Sequence, residues 1–505
     1  ARTRKHVAIT DVLMFDDGRH AIALMAIEYD HGGPETYVLP IAFAEDAEPH
    51  ESMRTPGQVI ARVVVTDVPE RGTINGVIYD ALCADTFNAA LYATIAGRRG
   101  ATGQVGRLVG HAMVPDELAG ETPLPRATSV DQSNSGVVYG DRFLLKLFRV
   151  IEDGPSTELE IGRTLARRSP EYRGVPRLSG VLEYQQPGRE SSTVGTLFQY
   201  VPNQGDAWHL ALDALDRYFD RVLSDERRPE APPPQPGSLV ERVHIALSDQ
   251  VVDKIGPFLD HVRLLGRRTA ELHLELSADT ADPLFAPEPY DIMHQQSTYG
   301  SAIAHAARTF DLVRTHLPQL APELRNLAES VLMREPELDR VFSRITRRRI
   351  DMIRMRIHGD YHLGQVLWTG NDFVIIDFEG EPGRPLSQRR FKRKPLRDVA
   401  GMLRSLRYAS VAELRSGRRR PEDVARLEAW ARAWSNWSSS AFLTGYLERA
   451  QGSRLLPRSE ADLGMMLEFF LLEKCVYEIG YELNNRPDWL EIPMRALLDL
   501  LPGAP

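Results

Sequence analysis

The chain has few cysteines, only Cys83 and Cys475 in 505 residues. Two thiols cannot build a disulfide framework, so a reducing, cytoplasmic setting is expected. No apolar run approaches the roughly 20 residues that cross a bilayer. The opening Ala1-Arg2-Thr3-Arg4-Lys5-His6 leads into no signal-peptide core, because Asp11 and then Asp16-Asp17-Gly18 interrupt the apolar stretch. An excess of positive charge is missing too. The net charge of −9 argues against a nucleic-acid or membrane-surface partner, while a small anionic ligand needs only local positive charge. Two phosphate-binding signatures are absent: Gly100, Gly103 and Gly106 are not spaced as Gly-x-Gly-x-x-Gly, and there is no Gly-x4-Gly-Lys-Ser/Thr. There is no internal repeat. The 43% apolar and 26% charged content is ordinary for a globular protein, and the length calls for two or three domains or lobes.

Pattern then divides the chain. Val7 to Phe15, Ala21 to Tyr29, Thr36 to Phe43 and Gly76 to Ala81 read as strands, with turns at Asp16-Asp17-Gly18 and His31-Gly32-Gly33-Pro34. They predict a small antiparallel cap over 1–106. A β-rich portion over 107–201 follows, with strands at Gly136–Gly140, Arg142–Phe148, Val181–Tyr184 and Gly195–Tyr200 and a helix from Thr157 to Arg167. From 202 onward apolar residues recur at helical spacing through 207–223, 239–277, 301–315, 322–350, 410–450 and 459–485. One strand pair, around Val366–Trp368 and Phe373–Phe378, interrupts them. Ser224 to Gly237 reads as a proline-rich insertion within the helical half. The expected class is α+β: a two-lobed, protein-kinase-like fold with a cap, a β-rich lobe and a mostly helical lobe.

The chemistry concentrates in two short segments. In His358-Gly359-Asp360-Tyr361-His362-Leu363-Gly364-Gln365, an Asp is followed five residues later by an amide. Kinase catalytic loops pair a carboxylate that takes the hydroxyl proton with a later metal ligand, because phosphoryl transfer depends on positioning and charge neutralisation. Downstream, Val374-Ile375-Ile376-Asp377-Phe378-Glu379 puts a carboxylate at the end of a buried strand, where a Mg-binding Asp belongs. Alone, either acid is an ordinary turn residue; together, in this order, they predict a Mg-dependent, ATP-using kinase. His358 joins Asp360 among the catalytic candidates, and His362 among the substrate candidates.

Lys146, inside Phe143-Leu144-Leu145-Lys146-Leu147-Phe148, is a charge in an apolar strand and needs a partner. Phosphates and a helix carboxylate would supply one; Glu160 is the preferred partner and Glu158 the rival. A lysine snorkelling from an edge strand is the plainer alternative, and Thr157 with Glu160 also fits a capping box. The small-polar loop 128–136, with Ser133, Asn134 and Ser135, is a candidate phosphate cradle or a solvated hairpin loop. Gln199, Tyr200 and Val201 are expected at the nucleotide. The basic run Arg389–Lys394 reads as a solvated loop. Near the C-terminus, Lys474, Tyr477, Glu478 and Tyr481 fall on one helical stripe. Ammonium, carboxylate and phenols suit a sugar, although a surface Lys474–Glu478 pair explains them as well.

With these motifs in hand, the chain resembles the maltokinases, bacterial enzymes related to aminoglycoside phosphotransferases and eukaryotic-like kinases. The likeness runs over essentially the whole chain. It rests on His358 to Leu367, Ile376 to Pro382, Pro395-Leu-Arg-Asp-Val-Ala-Gly-Met-Leu-Arg-Ser405 and the tail Tyr477 to Trp489. The resemblance implies phosphorylation of maltose by ATP at its anomeric hydroxyl, feeding α-glucan (glycogen) synthesis. It implies Asp360 as base, Gln365 and Asp377 as Mg ligands, Lys146 and the 128–136 loop on the phosphates, and Lys474, Glu478 and Tyr481 near the sugar. Association or fusion with trehalose synthase is also implied. The rival readings are a glucosamine kinase, related through His-Gly-Asp and Asp-Phe-Glu-Gly-Glu-Pro, and a silent scaffold for trehalose synthase.

Overall fold

Strand alternation organises the first half of the chain. In the computed structural model, which describes residues 3–46, 58–68, 71–128, 134–227, 230–232, 237–278, 280–381 and 383–501, β3 (Glu35–Glu45) turns Val38, Pro40, Ala42 and Ala44 inward. It pairs with β2 (His20–Tyr29), which pairs with β1 (Arg4–Met14). The β1–β2 turn carries Gly18 at φ 65, and Asp17 accepts hydrogen bonds from the Arg19 and His20 amides at 2.9 and 3.1 Å. The remaining strands are β4 (Val59–Val68), β5 (Gly72–Asp80), β6 (Ala101–Thr102), β7 (Arg107–Ala112), β8 (Pro125–Ala127), β9 (Ser135–Tyr139), β10 (Phe143–Leu147), β11 (Val150–Ile151), β12 (Leu178–Gln185) and β13 (Ser192–Gln199). Together they form one 13-stranded sheet in the order β4-β5-β3-β2-β1-β6-β7-β12-β13-β10-β9-β8, with β11 on β3.

The sheet runs without a break past the cap boundary expected at 106. Met14 pairs with Thr102, Ala101 with Leu108, and Ala112 with Gly180. A single apolar core likewise joins Leu13, Phe15 and Leu24 to Tyr139, Leu145 and Leu197. Compact units are Ala1–Pro202 and Asn203–Pro505.

The glycines without a phosphate motif have a structural role. Buried Asp11 on β1 accepts from the amides of Gln104 and Gly106, both at 2.9 Å, and from the Tyr184 hydroxyl at 2.8 Å. A Cβ on Gly103 would lie 2.2 Å from the Asp11 carboxylate, and one on Gly106 would strike the Tyr184 ring. Only glycine lets this turn close onto the acid. Helix α1 (Asp85–Ile95), not expected from the sequence, lies against the sheet where Gly110 and Gly180 leave room for Thr94 and Ile95. Helix α2 (Thr157–Arg168) lies where expected, but its N-cap is Ser156, whose hydroxyl accepts from the Leu159 amide at 3.2 Å. The Thr157–Glu160 capping box therefore does not form.

The second unit is helical: α3 (Ala207–Leu223), α4 (Phe258–Ser277), α5 (Ile292–His316), α6 (Leu396–Leu414), α7 (Pro421–Ala450), α8 (Glu460–Asn485) and α9 (Glu491–Leu500), with shorter helices between. The expected helical stretch 239–277 breaks before α4, at Gly256-Pro257, where Gly256 has φ 70. The stretch 410–450 breaks between α6 and α7, where Gly417 has φ 76. Helices α4 and α7 cross closely: a Cβ on Gly266 would come 2.0 Å from the Phe442 carbonyl, and one on Gly445 equally close to that of Arg263. The short hairpin Val366–Trp368 with Phe373–Ile375 is present. Its turn is held by Arg268, whose Nε and Nη2 donate to Asp372 at 2.7 and 2.8 Å. The proline-rich insertion lies partly outside the described residues.

Candidate active site

The loop around Asp360 is irregular backbone, so its amides need partners from elsewhere. Asp398, in the first turn of α6 and 2% exposed, supplies them. Its Oδ2 accepts from the His358 amide at 2.8 Å and its Oδ1 from the Gly359 amide at 3.0 Å. His273 on α4 meets the same carboxylate at 3.2 Å and is itself bonded to the Tyr446 hydroxyl at 3.0 Å. Burial pushes the Asp398 carboxyl up, but His273, His358 and the amides outweigh it and hold the group below the usual carboxylate range. Two further contacts fix the loop. Ser405 accepts from the Leu363 amide at 3.1 Å, and Tyr361 bonds Thr269 at 2.8 Å. A Cβ on Gly401 would lie 2.6 Å from the Tyr361 carbonyl, so glycine is what lets α6 approach.

His358 ties the two motifs together. Its Nε2 donates to the Ile376 carbonyl at 2.8 Å, and its Nδ1 receives the Asp360 amide at 3.4 Å. One imidazole thus spans the residue before Asp377 and the backbone of Asp360, and its hydrogen bonds set the tautomer. Asp377 has φ 68, the one positive φ of a non-glycine among the described residues. This ends the expected strand early, at Ile375 rather than Phe378. The Gln365 amide donates to the Asp377 carboxylate at 2.6 Å. An amide and a carboxylate thus meet, and each carries a hard oxygen of the kind that suits Mg. Farther along, buried Glu381 is held by Arg397 at 2.9 Å and paired with Arg384. Arg397 also grips Glu473 on α8 at 2.9 Å. Burial raises the Glu381 carboxyl, but Arg397, Lys474 and Arg384 bring it down to about 2.

Asp360 faces Lys474, whose Nζ is 3.8 Å from its Oδ1. The ammonium also lies 4.6 Å from the Tyr477 ring centroid, and that ring stacks on Tyr481 at 6.3 Å. The fourth member of the stripe departs from expectation. Glu478 is buried and accepts from Arg404 Nε and Nη2 at 2.9 and 2.7 Å, so it belongs to a buried pair with α6. No Lys474–Glu478 surface pair forms. His362, expected near the substrate, uses its Nδ1 to accept from the Gly364 amide at 3.1 Å, and burial holds its pKa below the ordinary value. The basic run is not a solvated loop, because Lys394 is buried between Tyr290 and Phe470 and donates to Thr298 at 2.8 Å.

In the first unit, Lys146 pairs with Glu158, at 3.3 Å, not with Glu160. The reason is helical phase. Residues two apart point to opposite sides of a helix, and Glu158 is the buried one, its other oxygen accepting from Thr196 at 3.2 Å. Asn134 accepts from the Arg149 amide and Ser135 from the Arg149 guanidinium, both at 3.3 Å; Ser133 lies outside the described residues. Gln199 closes β13 opposite Phe143, and the Tyr200 amide donates to the Arg142 carbonyl at 2.8 Å, with Val201 following.

No family model matches the chain. Curated relatives include the glucosamine kinase of Mycolicibacterium smegmatis (strain ATCC 700084 / mc(2)155), 26% identical over 388 residues, which cover 76% of this chain and 80% of that one. The glucosamine kinase of Streptacidiphilus jiangxiensis is 25% identical over 408 residues, covering 80% and 79%. Among solved structures, a glucosamine kinase in complex with glucosamine, ADP and inorganic phosphate matches with a TM-score of 0.59 at 19% identity, over 99% of this chain and 95% of that one. Crystal form B of a glucosamine kinase matches with a TM-score of 0.61 at 18% identity, over 99% and 95%. The fold is therefore kinase-like, with an antiparallel β-rich N-terminal part and a helical C-terminal part.

Asp398, Arg397, Glu381 and His273 have no role predicted from the sequence. A signal for the first two existed in Pro395-Leu396-Arg397-Asp398, an acid in the first turn of an apolar helix. His273 carried none, since a lone histidine on a buried helix face reads as packing.

Proposed function

We propose that the chain is an ATP-dependent sugar kinase of aminoglycoside-phosphotransferase-like fold. The observation that carries this is the Asp360 loop, clamped by Asp398 and joined through His358 to the Asp377 strand. Asp360 accepts the proton of the attacking sugar hydroxyl. His358 positions it, keeping the base loop and the metal-binding strand in fixed register. Gln365 and Asp377 would hold Mg, which would supply charge neutralisation at the nucleotide phosphates. Lys146, steadied by Glu158, binds phosphate oxygens; Asn134 and Ser135, and the Gln199–Val201 segment, contact the nucleotide. Lys474 keeps positive charge at the acceptor hydroxyl while Asp360 takes its proton.

For the acceptor, we favour maltose, phosphorylated at its anomeric hydroxyl. The motif resemblance supports it, and so does the charge beside the base. A lysine ammonium 3.8 Å from Asp360 suits a neutral sugar better than a cationic one, and the paired rings of Tyr477 and Tyr481 offer a face for sugar C–H groups. Glucosamine is the second reading, and the comparisons support it better, because two curated relatives are glucosamine kinases. Association or fusion with trehalose synthase follows from the resemblance alone. ATP consumption measured with maltose, glucosamine, glucose and trehalose separates these. Turnover with maltose is expected. Turnover with glucosamine alone would move the acceptor and keep the kinase. Absence of ATP consumption with all four sugars would leave the scaffold reading standing.

A further inference from the structure

The C-terminal half of α6 carries charge that phosphoryl transfer does not use. Arg407 lies three residues beyond Arg404, partly buried, and the strongest charges it feels are those of Arg404, Arg432 and Arg495, against the single carboxylate of Asp499. Arg404 is committed to Glu478, and Arg495 to Glu491 at 2.5 Å. Among the described residues, Arg407 and Arg432 make no ion pair. Burial among like charges drives the Arg407 pKa down to about 10. A guanidinium so placed costs free energy unless an opposite charge arrives, and the protein supplies little.

Space for such a charge exists. Arg407 and Arg432 line a cavity of about 1440 Å³ with Ser435, Asn436, Trp437 and Ser439 of α7. Four carboxylates border it as well: Glu468 is paired with Arg344 at 2.6 Å, Glu241 caps its own short helix at the Ser238 amide, Glu460 meets His244 at 3.4 Å, and Asp499 stands alone against Arg404, Arg407, Arg432 and Arg495. The described ends of the proline-rich segment, Ala231-Pro232 and Gly237-Ser238, also form part of the wall. A bare phosphate would leave most of this volume empty, since pockets of ~300–1,000 Å³ already enclose whole metabolites. Two guanidiniums supply the forked donors that phosphate takes. Serine hydroxyls, an amide and an indole face are the groups that receive a polyhydroxylated ring.

We propose that this cavity is a second ligand site, binding a phosphorylated sugar with its phosphate on Arg407 and Arg432 and its ring on Ser435, Asn436, Ser439 and Trp437. The occupant would also act on the acceptor helix. Arg404 lines the same cavity while it holds Glu478, on the helix that presents Lys474 and Tyr477 to Asp360. A phosphate in the cavity competes with Glu478 for Arg404, so occupancy alters the setting of α8.

The test is equilibrium binding of glucose 6-phosphate, glucose and inorganic phosphate to the wild-type chain and to Arg407→Gln and Arg432→Gln. Arg432 is exposed, so its replacement keeps the fold, which far-UV circular dichroism and an unchanged Tm would document. Saturable binding of glucose 6-phosphate is expected, weakened about tenfold in each variant by loss of a charge-assisted contact, with glucose not binding. Three results would overturn the proposal: no saturable binding, binding by both variants as strong as by the wild type, or inorganic phosphate binding as tightly as the sugar phosphate. The last would mark an adventitious ion only. None of these readouts depends on the kinase reading.

Discussion

Asp11 and Asp398 are two buried carboxylates that perform the same physical task in different halves of the chain. Each leaves its own element to accept amides of a distant glycine-containing loop, Gln104 and Gly106 for the first, His358 and Gly359 for the second. In each, burial pushes the pKa up and the donors more than reverse it. Yet one loop is a closed turn between short strands, and the other presents Asp360 beside Lys474. A clamp of this kind marks where backbone must be held still; what the held loop carries decides whether chemistry follows.

Removing the second clamp should have the larger effect on activity. Asp398→Ala releases the Asp360 loop and is expected to lower kcat by about 10²-fold, as small misplacements of reacting groups do. Asp11→Ala is expected to leave kcat within about twofold while lowering stability by roughly 2 kcal/mol, through amides left without an acceptor. Parallel kinetics and thermal melts check both, and equal loss of kcat in the two variants would break the contrast. Acid titration sharpens it. Because both folded pKa values lie below the unfolded ones, each group stabilises the fold above the ordinary carboxylate range, and that stability is lost as pH falls through the folded value. Asp11→Asn and Asp398→Asn should each flatten the acid limb of stability against pH.

The Lys146 pair extends the comparison to a buried acid whose partner is a side chain. Glu158→Gln is expected to raise KM for ATP about tenfold and Glu160→Gln to change it less than twofold, since only the former contacts Lys146. The reverse ranking would restore the partner first expected from the sequence. The smallest effect concerns a buried cation with few acceptors. Burial brings Lys394 down to about 7, so its charged form is disfavoured in the fold and the unfolded chain binds the extra proton between about 7 and its ordinary value. Stability contributed by Lys394 should therefore rise with pH across that window. Lys394→Met should stabilise the fold by about 1 kcal/mol below pH 7, with the gain fading as the pH rises. A gain independent of pH would contradict it.

Much of this was legible in local pattern. The strands β1 to β3, the helix over 157–168, the hairpin at 366–375 and the acids Asp360 and Asp377 follow from alternation, turn residues and motif spacing. What was not legible depends on which residues meet across long separations. Glu158 and Glu160 differ only in helical phase relative to a sheet that the sequence does not draw. Glu478 shared a stripe with Lys474, but Arg404 on another helix claimed it. Gly103 and Gly106 looked like failed phosphate loops until Asp11, more than ninety residues earlier, met the same turn. His273 reaches Asp398 across 125 residues and left no local trace.

The role of Asp360 in a sugar phosphotransferase is decided by following γ-phosphate from labelled ATP into sugar with wild type and Asp360→Asn. A phosphorylated sugar is expected from the wild type, with a fall of about 10²–10⁴-fold in the variant and unchanged Mg-ATP binding in both. Transfer that persists undiminished in Asp360→Asn, or no transfer to any sugar by the wild type, would contradict it.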